Sequence, residues 1–211
     1  MRTIEKRKEP LSLTEYRSSP GATYDGYQDK ETLRSYLVTE QRGLCCYCLK
    51  RIYAAPGKMK IEHWHCQDRY DAEQLDYSNL LGACKGDEGK PLRDQHCDAR
   101  KGNRDLSRNP ANSLHRVEEM VRFGGDGRVS SEDPNFDSEL NEVLNLNAAI
   151  LVSNRKAVLE AFLRARAKRG NWSRAILEKW LRQCNGDSGT GQLEEYCQTV
   201  VYWLRKRLAR S

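Results

Sequence analysis

Residues 44–52, LCCYCLKRI, decide how the fold of this chain is interpreted. Cys45 and Cys48 are separated by two residues, the spacing that lets two thiolates of one turn bind one tetrahedral zinc ion. Two further cysteines, Cys84 and Cys97, follow with a polar loop between them, like a second such turn that has expanded. Four thiolates would complete the coordination of the ion, so the sequence predicts a structural zinc site rather than a catalytic one.

Other interpretations of these cysteines stay open at this point. His96 precedes Cys97 and is a competing zinc ligand, and the four cysteines could instead be buried small side chains. Metal binding is favoured over disulfides because the N-terminal residues contain no apolar signal segment, which predicts a reducing, cytoplasmic environment. The other four of the eight cysteines are expected to be buried thiols: Cys46, Cys66, Cys184 and Cys197.

Hydrophobic spacing predicts an α+β fold, mostly α, in four parts. Residues 1–30 are predicted as an extended N-terminal arm, and residues 31–122 as the zinc-stapled domain. Residues 123–136 are predicted as a linker or hairpin, and residues 137–211 as a helical region. Within the second part the pattern predicts a helix at 30–43, a strand at 59–65, a strand or short loop at 75–84, a loop at 85–95 and a helix at 97–107.

Composition and charge limit the possible functions. The chain has 211 residues, 38% of them hydrophobic, and no run of about 18 apolar residues, so no membrane contact is expected. Residues 150–211 hold 13 Lys+Arg and 5 Asp+Glu, whereas residues 1–149 are slightly acidic. This basic tail could follow the phosphates of a nucleic acid, or it could be a solvated helix face.

Three short motifs lie in order around the cysteines: KIEHW at 60–64, DYSNLL at 76–81 and CDARKGN at 97–103. They place a carboxylate before a histidine, an asparagine before two leucines, and a cysteine before an aspartate and a lysine. In this order they resemble the HNH endonuclease motif, or ββα-metal finger, over about residues 44–110. The resemblance implies a strand hairpin, a following helix and hydrolysis of phosphodiester bonds.

The HNH resemblance also implies a role for each matching residue. His63 would be the general base that deprotonates water, because an imidazole titrates near working pH. Glu62 and Asp98 would hold one hard divalent cation, Mg²⁺ or Mn²⁺, with Asn103 as an alternative ligand. Asp98 departs from the motif, which usually has histidine or asparagine there. Asn79 would tie the hairpin together and keep the imidazole oriented.

The strings CCYCLKRI, DYSNLLGAC and HCDARKGN, with Leu-Asn-Leu-Asn at 144–147, are further similar to the PtuB-type HNH proteins of bacterial anti-phage defence. Those proteins occur in Septu systems and in some retron systems. The resemblance implies a toxic nuclease held by an ABC/SMC-like ATPase of the PtuA type. In a retron setting it also implies a reverse transcriptase and its small DNA.

The substrate and one alternative function stay open in the sequence. Arg100 or Lys101 could clamp a phosphate of the nucleic acid. DNA is the favoured substrate, and RNA such as a tRNA is the second possibility, because attack by water does not need a 2′-hydroxyl. The alternative is a zinc-ribbon adaptor that binds nucleic acid without cutting it.

Overall fold

The computed structural model describes residues 1–167, 172–187 and 191–210. It is mostly helical with two small antiparallel sheets, which confirms the predicted α+β class. The helices are α1 (Leu11–Arg17), α2 (Lys30–Glu40), α3 (Cys97–Lys101), α4 (Val117–Met120), α5 (Pro134–Ser138), α6 (Ala149–Ala167), α7 (Arg174–Asn185) and α8 (Cys197–Leu208). The strands are β1 (Lys60–His63), β2 (Leu80–Ala83), β3 (Arg122–Phe123) and β4 (Val129–Ser130). Within these described ranges, no helix is both long and apolar enough to cross a membrane.

β1 and β2 form an antiparallel pair in which His63 lies opposite Leu80 and Glu62 opposite Leu81. A 3-10 turn, Tyr77–Asn79, leads directly into β2, so the stretch predicted as a strand or a loop contains both. Both leucines are fully buried, which explains why their apolar run forms a strand in the interior. The polar loop that follows leads to α3, and the order of elements is therefore strand, strand, helix.

The cysteine turn packs on the free edge of β2. The N–H of Cys46 donates to the carbonyl of Gly82 at 3.0 Å. The Gln41 side chain uses the same edge: its amide oxygen accepts from the Gly82 N–H at 2.6 Å, and its amide nitrogen donates to the Gly82 carbonyl at 2.7 Å. A Cβ atom at Gly82 would lie only 2.9 Å from the Ile52 Cδ1 atom, so glycine permits this close approach.

The N-terminal segment corrects the prediction of an arm that is extended throughout. Residues 11–17 form α1 directly after Pro10, whose fixed φ suits the start of a helix. Leu13 of this helix is fully buried and packs with Leu33 and Leu37 of α2. The apolar surface that α2 offers therefore makes a helix favourable where the polar composition of the segment predicted none.

α3 is shorter than the predicted helix at 97–107. It ends at Lys101 because Gly102 adopts a φ of +54°, a left-handed value that glycine accepts without strain. Asn103 is therefore not one turn further along the helix, which corrects the geometry on which its role as an alternative metal ligand rested.

Residues 123–136 contain a hairpin rather than a bare linker, because β3 and β4 pair antiparallel. Asn147 supports this hairpin: its side chain accepts from the Val129 N–H at 2.8 Å and donates to the Val129 carbonyl at 2.9 Å. Asn145 binds the carbonyls of Arg93 and Gln95 in the loop before α3. Asn145 thus joins the helical region to the loop before α3, and Asn147 joins it to the β3–β4 hairpin.

The C-terminal helices enclose a second apolar core. Its buried members come from α6, α7 and α8: Phe162, Leu177, Trp180, Val200 and Leu204. This agrees with the predicted helical region 137–211, of which residues 168–171, 188–190 and 211 lie outside the described residues. Glu139–Val143 form a π-helical turn between α5 and the Leu-Asn-Leu-Asn segment.

Candidate metal centre and active site

The four predicted zinc ligands meet at one point. Cys45 and Cys48 come from the cysteine turn, Cys84 follows β2, and Cys97 opens α3. Their sulfur atoms all lie within 4.8 Å of one another, with 4.0 Å between those of Cys45 and Cys97 and 3.7 Å between those of Cys48 and Cys84. Tetrahedral zinc with bonds of about 2.3 Å requires about 3.8 Å between sulfurs. The cluster could therefore hold a structural metal ion such as zinc.

The thiols of this cluster differ in acidity. Burial raises the pKa of Cys45, but hydrogen bonds from the neighbouring thiols outweigh it and place that pKa well below its usual value. Hydrogen bonding to Cys45 raises the pKa of Cys84 well above its usual value, and burial does the same for Cys97. Cys45 is therefore the most acidic of these three thiols, and a bound cation would favour the ionised form of Cys84 and Cys97.

His96 lies outside the group of four sulfurs and contacts it from one side. Its Nδ1 atom is 3.2 Å from the Cys97 sulfur and 4.0 Å from the Cys84 sulfur. Burial lowers the pKa of His96, which favours a neutral ring that donates one hydrogen bond. This placement suits a donor to a ligand thiolate better than a fifth ligand.

The other cysteines agree in part with the prediction of buried thiols. Cys46, Cys66 and Cys197 are buried, whereas Cys184 on α7 is only half-buried. All four are free thiols outside the metal cluster, as the sequence predicted.

His63 ends β1 and is held by a backbone carbonyl. Its Nε2 atom lies 3.0 Å from the backbone oxygen of Gln74. The His63 and Tyr24 rings form a T-shaped pair with 4.4 Å between their centroids. A carbonyl only accepts hydrogen bonds, so Nε2 carries the proton and Nδ1 of the neutral ring is the basic atom. Burial lowers the pKa of His63, which keeps this base unprotonated at neutral pH.

Glu62, adjacent to His63, is buried in a network of hydrogen bonds. Its Oε1 atom accepts from the Tyr47 hydroxyl at 2.8 Å and from the Lys101 ammonium at 2.8 Å. Lys101 also donates to the His63 carbonyl at 3.0 Å. Burial, together with the neighbouring Asp98, raises the pKa of Glu62 well above its usual value.

Asp98 completes the carboxyl pair from the first turn of α3. Its side chain is hydrogen-bonded to Glu62 and lies 2.9 Å from the Lys60 ammonium. Burial raises the pKa of Asp98, but these two partners outweigh it and hold that pKa below its usual value. Asp98 therefore carries the negative charge of the pair, and its side chain is 19% exposed where that of Glu62 is 2% exposed.

Asn79 braces the loop that carries the histidine. Its Oδ1 atom accepts from the His65 N–H at 2.7 Å, and its Nδ2 atom donates to the carbonyls of His65 and Glu73. It makes no hydrogen bond to the His63 ring, so it acts on the backbone that follows β1. Because Glu73 directly precedes Gln74, the same clamp also fixes the carbonyl that holds His63.

Two predicted contacts to nucleic acid or metal do not fit this structure. The Lys101 side chain is 1% exposed and paired with Glu62, so it cannot clamp a phosphate. Asn103 is exposed and its amide donates to Asp68, away from Glu62 and Asp98. Arg100 stays on the surface, where its guanidinium group donates to the Leu92 carbonyl at 3.0 Å.

The structure adds three residues that the motifs did not indicate. Tyr47, Gln74 and Tyr24 contact Glu62 or His63. Only Tyr47 carried a local signal, since it lies inside the cysteine turn. Gln74 lies in the loop eleven residues after His63, and Tyr24 comes from the N-terminal segment.

No model of a known protein family matches this chain, and a search of curated proteins finds no match either. The function of the chain is therefore inferred from the geometry of its candidate site.

The four-thiol cluster leads to a prediction about metal content and stability. Cys84→Ser should lose the bound zinc and unfold at lower urea concentration than the wild type, because binding of a structural metal is coupled to folding. Cys184→Ser, at a half-buried thiol outside the cluster, is the matched control and should keep both. Elemental analysis and urea unfolding measure the two properties. Freshly purified wild-type protein with no zinc would contradict the assignment.

The Glu62–Lys101 pair leads to a prediction about stability. Lys101→Met should lower the free energy of unfolding by about 3 kcal/mol, because it removes one partner of a buried pair. The double variant Glu62→Gln/Lys101→Met should recover part of the loss, since a neutral amide at position 62 needs no ammonium beside it and can still donate to Asp98. Lys90→Met removes a surface pair with Asp87 and should leave the free energy of unfolding nearly unchanged, because solvent screens an exposed pair. Urea unfolding at neutral pH gives all three values, and an equal effect at both lysines would contradict the prediction.

Proposed function

We propose that this chain is a metal-dependent HNH endonuclease that hydrolyses phosphodiester bonds in nucleic acid and is stapled by a structural zinc ion. The observation that carries the proposal is the environment of His63. One nitrogen of this ring is fixed by the Gln74 carbonyl, its pKa is lowered by burial, and the charge of Asp98, which is hydrogen-bonded to Glu62, acts on the ring. A general base that activates water next to a charged phosphate needs such an oriented, unprotonated imidazole.

In the proposed reaction His63 accepts a proton from water at Nδ1. The Gln74 carbonyl stabilises the imidazolium ion that results, because Nε2 keeps its proton and its acceptor throughout. Asn79 contributes by holding the loop backbone, so the direction of the ring is set by main-chain contacts rather than by a flexible side chain. The proposed roles are thus a general base at His63 and a positioning residue at Asn79.

Glu62 and Asp98 are the proposed holders of one Mg²⁺ or Mn²⁺ ion. The donor set fits a hard cation: both are carboxyl groups, they are hydrogen-bonded to each other, and the pKa of Glu62 is raised well above its usual value by burial and by Asp98. Such a pair ionises fully only when a cation lies beside it. When bound, the ion would supply charge stabilisation at the phosphate and the leaving oxygen.

The biological role that we propose follows the similarity to PtuB-type proteins. The nuclease would be the toxic effector of a bacterial anti-phage complex with an ABC/SMC-like ATPase of the PtuA type, and a retron reverse transcriptase with its small DNA is a further candidate partner. DNA is the proposed substrate, and tRNA or other RNA is the second choice.

A non-catalytic adaptor that binds nucleic acid is the second candidate function. One observation favours it: the Glu62 oxygen that a cation would need is already occupied by Lys101 and Tyr47. The adaptor predicts binding of nucleic acid without cleavage at any metal concentration.

Cleavage assays test the proposed function directly. His63→Ala should reduce the rate of cleavage of plasmid, single-stranded DNA or total tRNA by at least 100-fold, because general-base catalysis contributes about 10²–10⁴-fold. The assay uses Mg²⁺ or Mn²⁺, with and without the ATPase partner. His115→Asn is the matched control, since an amide oxygen can replace the Nδ1 atom that accepts from the Asn109 N–H. Cleavage by His63→Ala at the wild-type rate would eliminate the proposed base, and absence of cleavage by the wild type under every condition would favour the adaptor.

Lys60 should compete with the divalent cation for Asp98. Its ammonium lies 2.9 Å from the Asp98 carboxylate. Because the Lys60 side chain is 30% exposed, it can turn toward solvent, whereas the buried Lys101 side chain cannot. Lys60→Gln should therefore bind Mn²⁺ several-fold more tightly than the wild type, as measured by electron paramagnetic resonance titration. Lys58→Gln, at an exposed neighbour for which the described structure contains no ion pair, should not change the affinity. Weaker Mn²⁺ binding by Lys60→Gln would contradict this competition.

A further inference from the structure

A cavity of about 240 Å³ opens between the β3–β4 hairpin and the last turns of α8, at a place the proposed active site does not use. We call it the α8 pocket; its walls include Phe123 from β3, Leu159 from α6, and Tyr202 and Arg207 from α8. Its volume is near the lower end for ligand sites, which suits a single small unit rather than a large molecule.

One side of the α8 pocket is strongly cationic. Lys206, Arg207 and Arg210 all line it and are exposed. Among the residues that the structure describes, no carboxylate lies within 4.0 Å of any of the three, whereas Arg205 on the same helix is paired with Glu118. The end of a helix carries only about half a negative charge. The positive charge of the three side chains therefore exceeds the partial negative charge of the helix terminus. The excess is available to an anionic ligand.

Aromatic side chains also line the α8 pocket. Phe123 and Tyr202 lie with 5.9 Å between ring centroids, and Trp203 is a further lining residue. At the tip of the hairpin, Gly125 has nothing within 4 Å of where a Cβ atom would be, so the approach over the loop is open. Aromatic faces beside unpaired cations are the combination on which nucleotides stack and bind through their phosphates.

A buried polar group at the pocket wall is a second, independent observation. Thr199 lines the pocket and is 1% exposed, and its hydroxyl oxygen has no hydrogen-bond partner in the described structure. A buried hydroxyl without a partner is costly, and a ligand atom or a water carried with the ligand would satisfy it.

We propose that the α8 pocket binds one nucleotide unit, with its phosphate on Lys206, Arg207 and Arg210 and its base beside Phe123 and Tyr202. The ligand chemistry is the same for a free nucleoside monophosphate and for one unit of a single strand. This site is separate from His63 and would operate whether or not the chain cuts nucleic acid.

Binding is tested by fluorescence anisotropy with a fluorescein-labelled dT12 strand and no added divalent cation, so that cleavage plays no part. Lys206→Gln/Arg207→Gln should weaken binding at least tenfold and reduce the slope of log affinity against log salt by about 1.4, the value for two lost phosphate contacts on a single strand. Lys179→Gln/Arg182→Gln, an equal charge change at exposed positions of α7, should weaken binding less than twofold. Equal weakening by the two double variants would overturn the site.

Two further measurements examine the base and the source of the ligand. Tyr202→Leu, which keeps an apolar side chain, should weaken binding about fivefold or more, because stacking on an aromatic ring is lost. Thymidine monophosphate should displace the strand if a free nucleotide is sufficient, and a strand that millimolar nucleotide does not displace assigns the site to the polymer. Inorganic phosphate that competes as well as the nucleotide, or an unchanged affinity of Tyr202→Leu, would reduce the site to a simple anion patch and overturn the proposal.

Discussion

The convergence of four thiols is the constraint on which the arrangement of the cysteine turn, β1, β2 and α3 depends. They come from the cysteine turn, the end of β2 and the start of α3, three segments that lie apart in the sequence. Asp98 directly follows Cys97, and the Glu62 strand pairs with the strand that ends one residue before Cys84. A metal ion at the thiols would therefore fix the distance between the two carboxyl groups without touching either of them. Metal binding at such a cluster would add to the stability of the apolar core in which the four cysteines are buried.

Charge balance around Glu62 and Asp98 sets a second constraint. Two carboxyl groups in contact are opposed by Lys60 and Lys101, and the two lysines differ in their freedom. Lys101 is buried, bonded to the backbone of His63, and acts as part of the framework. Lys60 is partly exposed and shared with Glu88, so its ammonium is the mobile counter-charge of the pair. The two lysines thus keep the carboxyl groups close together, and a divalent cation that bound there would need to displace only Lys60.

Much of this arrangement could be predicted from sequence where the determinants are local. The CxxC turn, the apolar run of β2 and the position of Asn79 before it carry their geometry in their spacing. The burial of Lys101 could not be predicted, because a lysine on a short helix is usually exposed, and only Tyr47, Glu62 and the His63 carbonyl around it reverse that preference. The end of α3 was missed for a different reason. The sequence indicates that Gly102 weakens a helix at 97–107, but composition does not show that this glycine takes a left-handed φ and ends the helix at Lys101.

The net charge of the helical region indicates an excess of basic residues but does not show which of them could bind an anionic ligand. Its excess of basic residues is real, but most of them lie where a neighbouring carboxylate or solvent explains them, as in the Arg174–Glu178 and Arg164–Glu160 pairs. At the end of α8, Lys206, Arg207 and Arg210 combine a lack of carboxylate partners among the described residues with neighbouring aromatic side chains, and this depends on how the β3–β4 hairpin packs on the helix. The hairpin is itself held by Asn147, so an asparagine singled out by a sequence motif shapes a surface that no motif describes. A recognition surface of this kind arises from tertiary contacts, because the residues that form it are separated by some eighty positions along the chain.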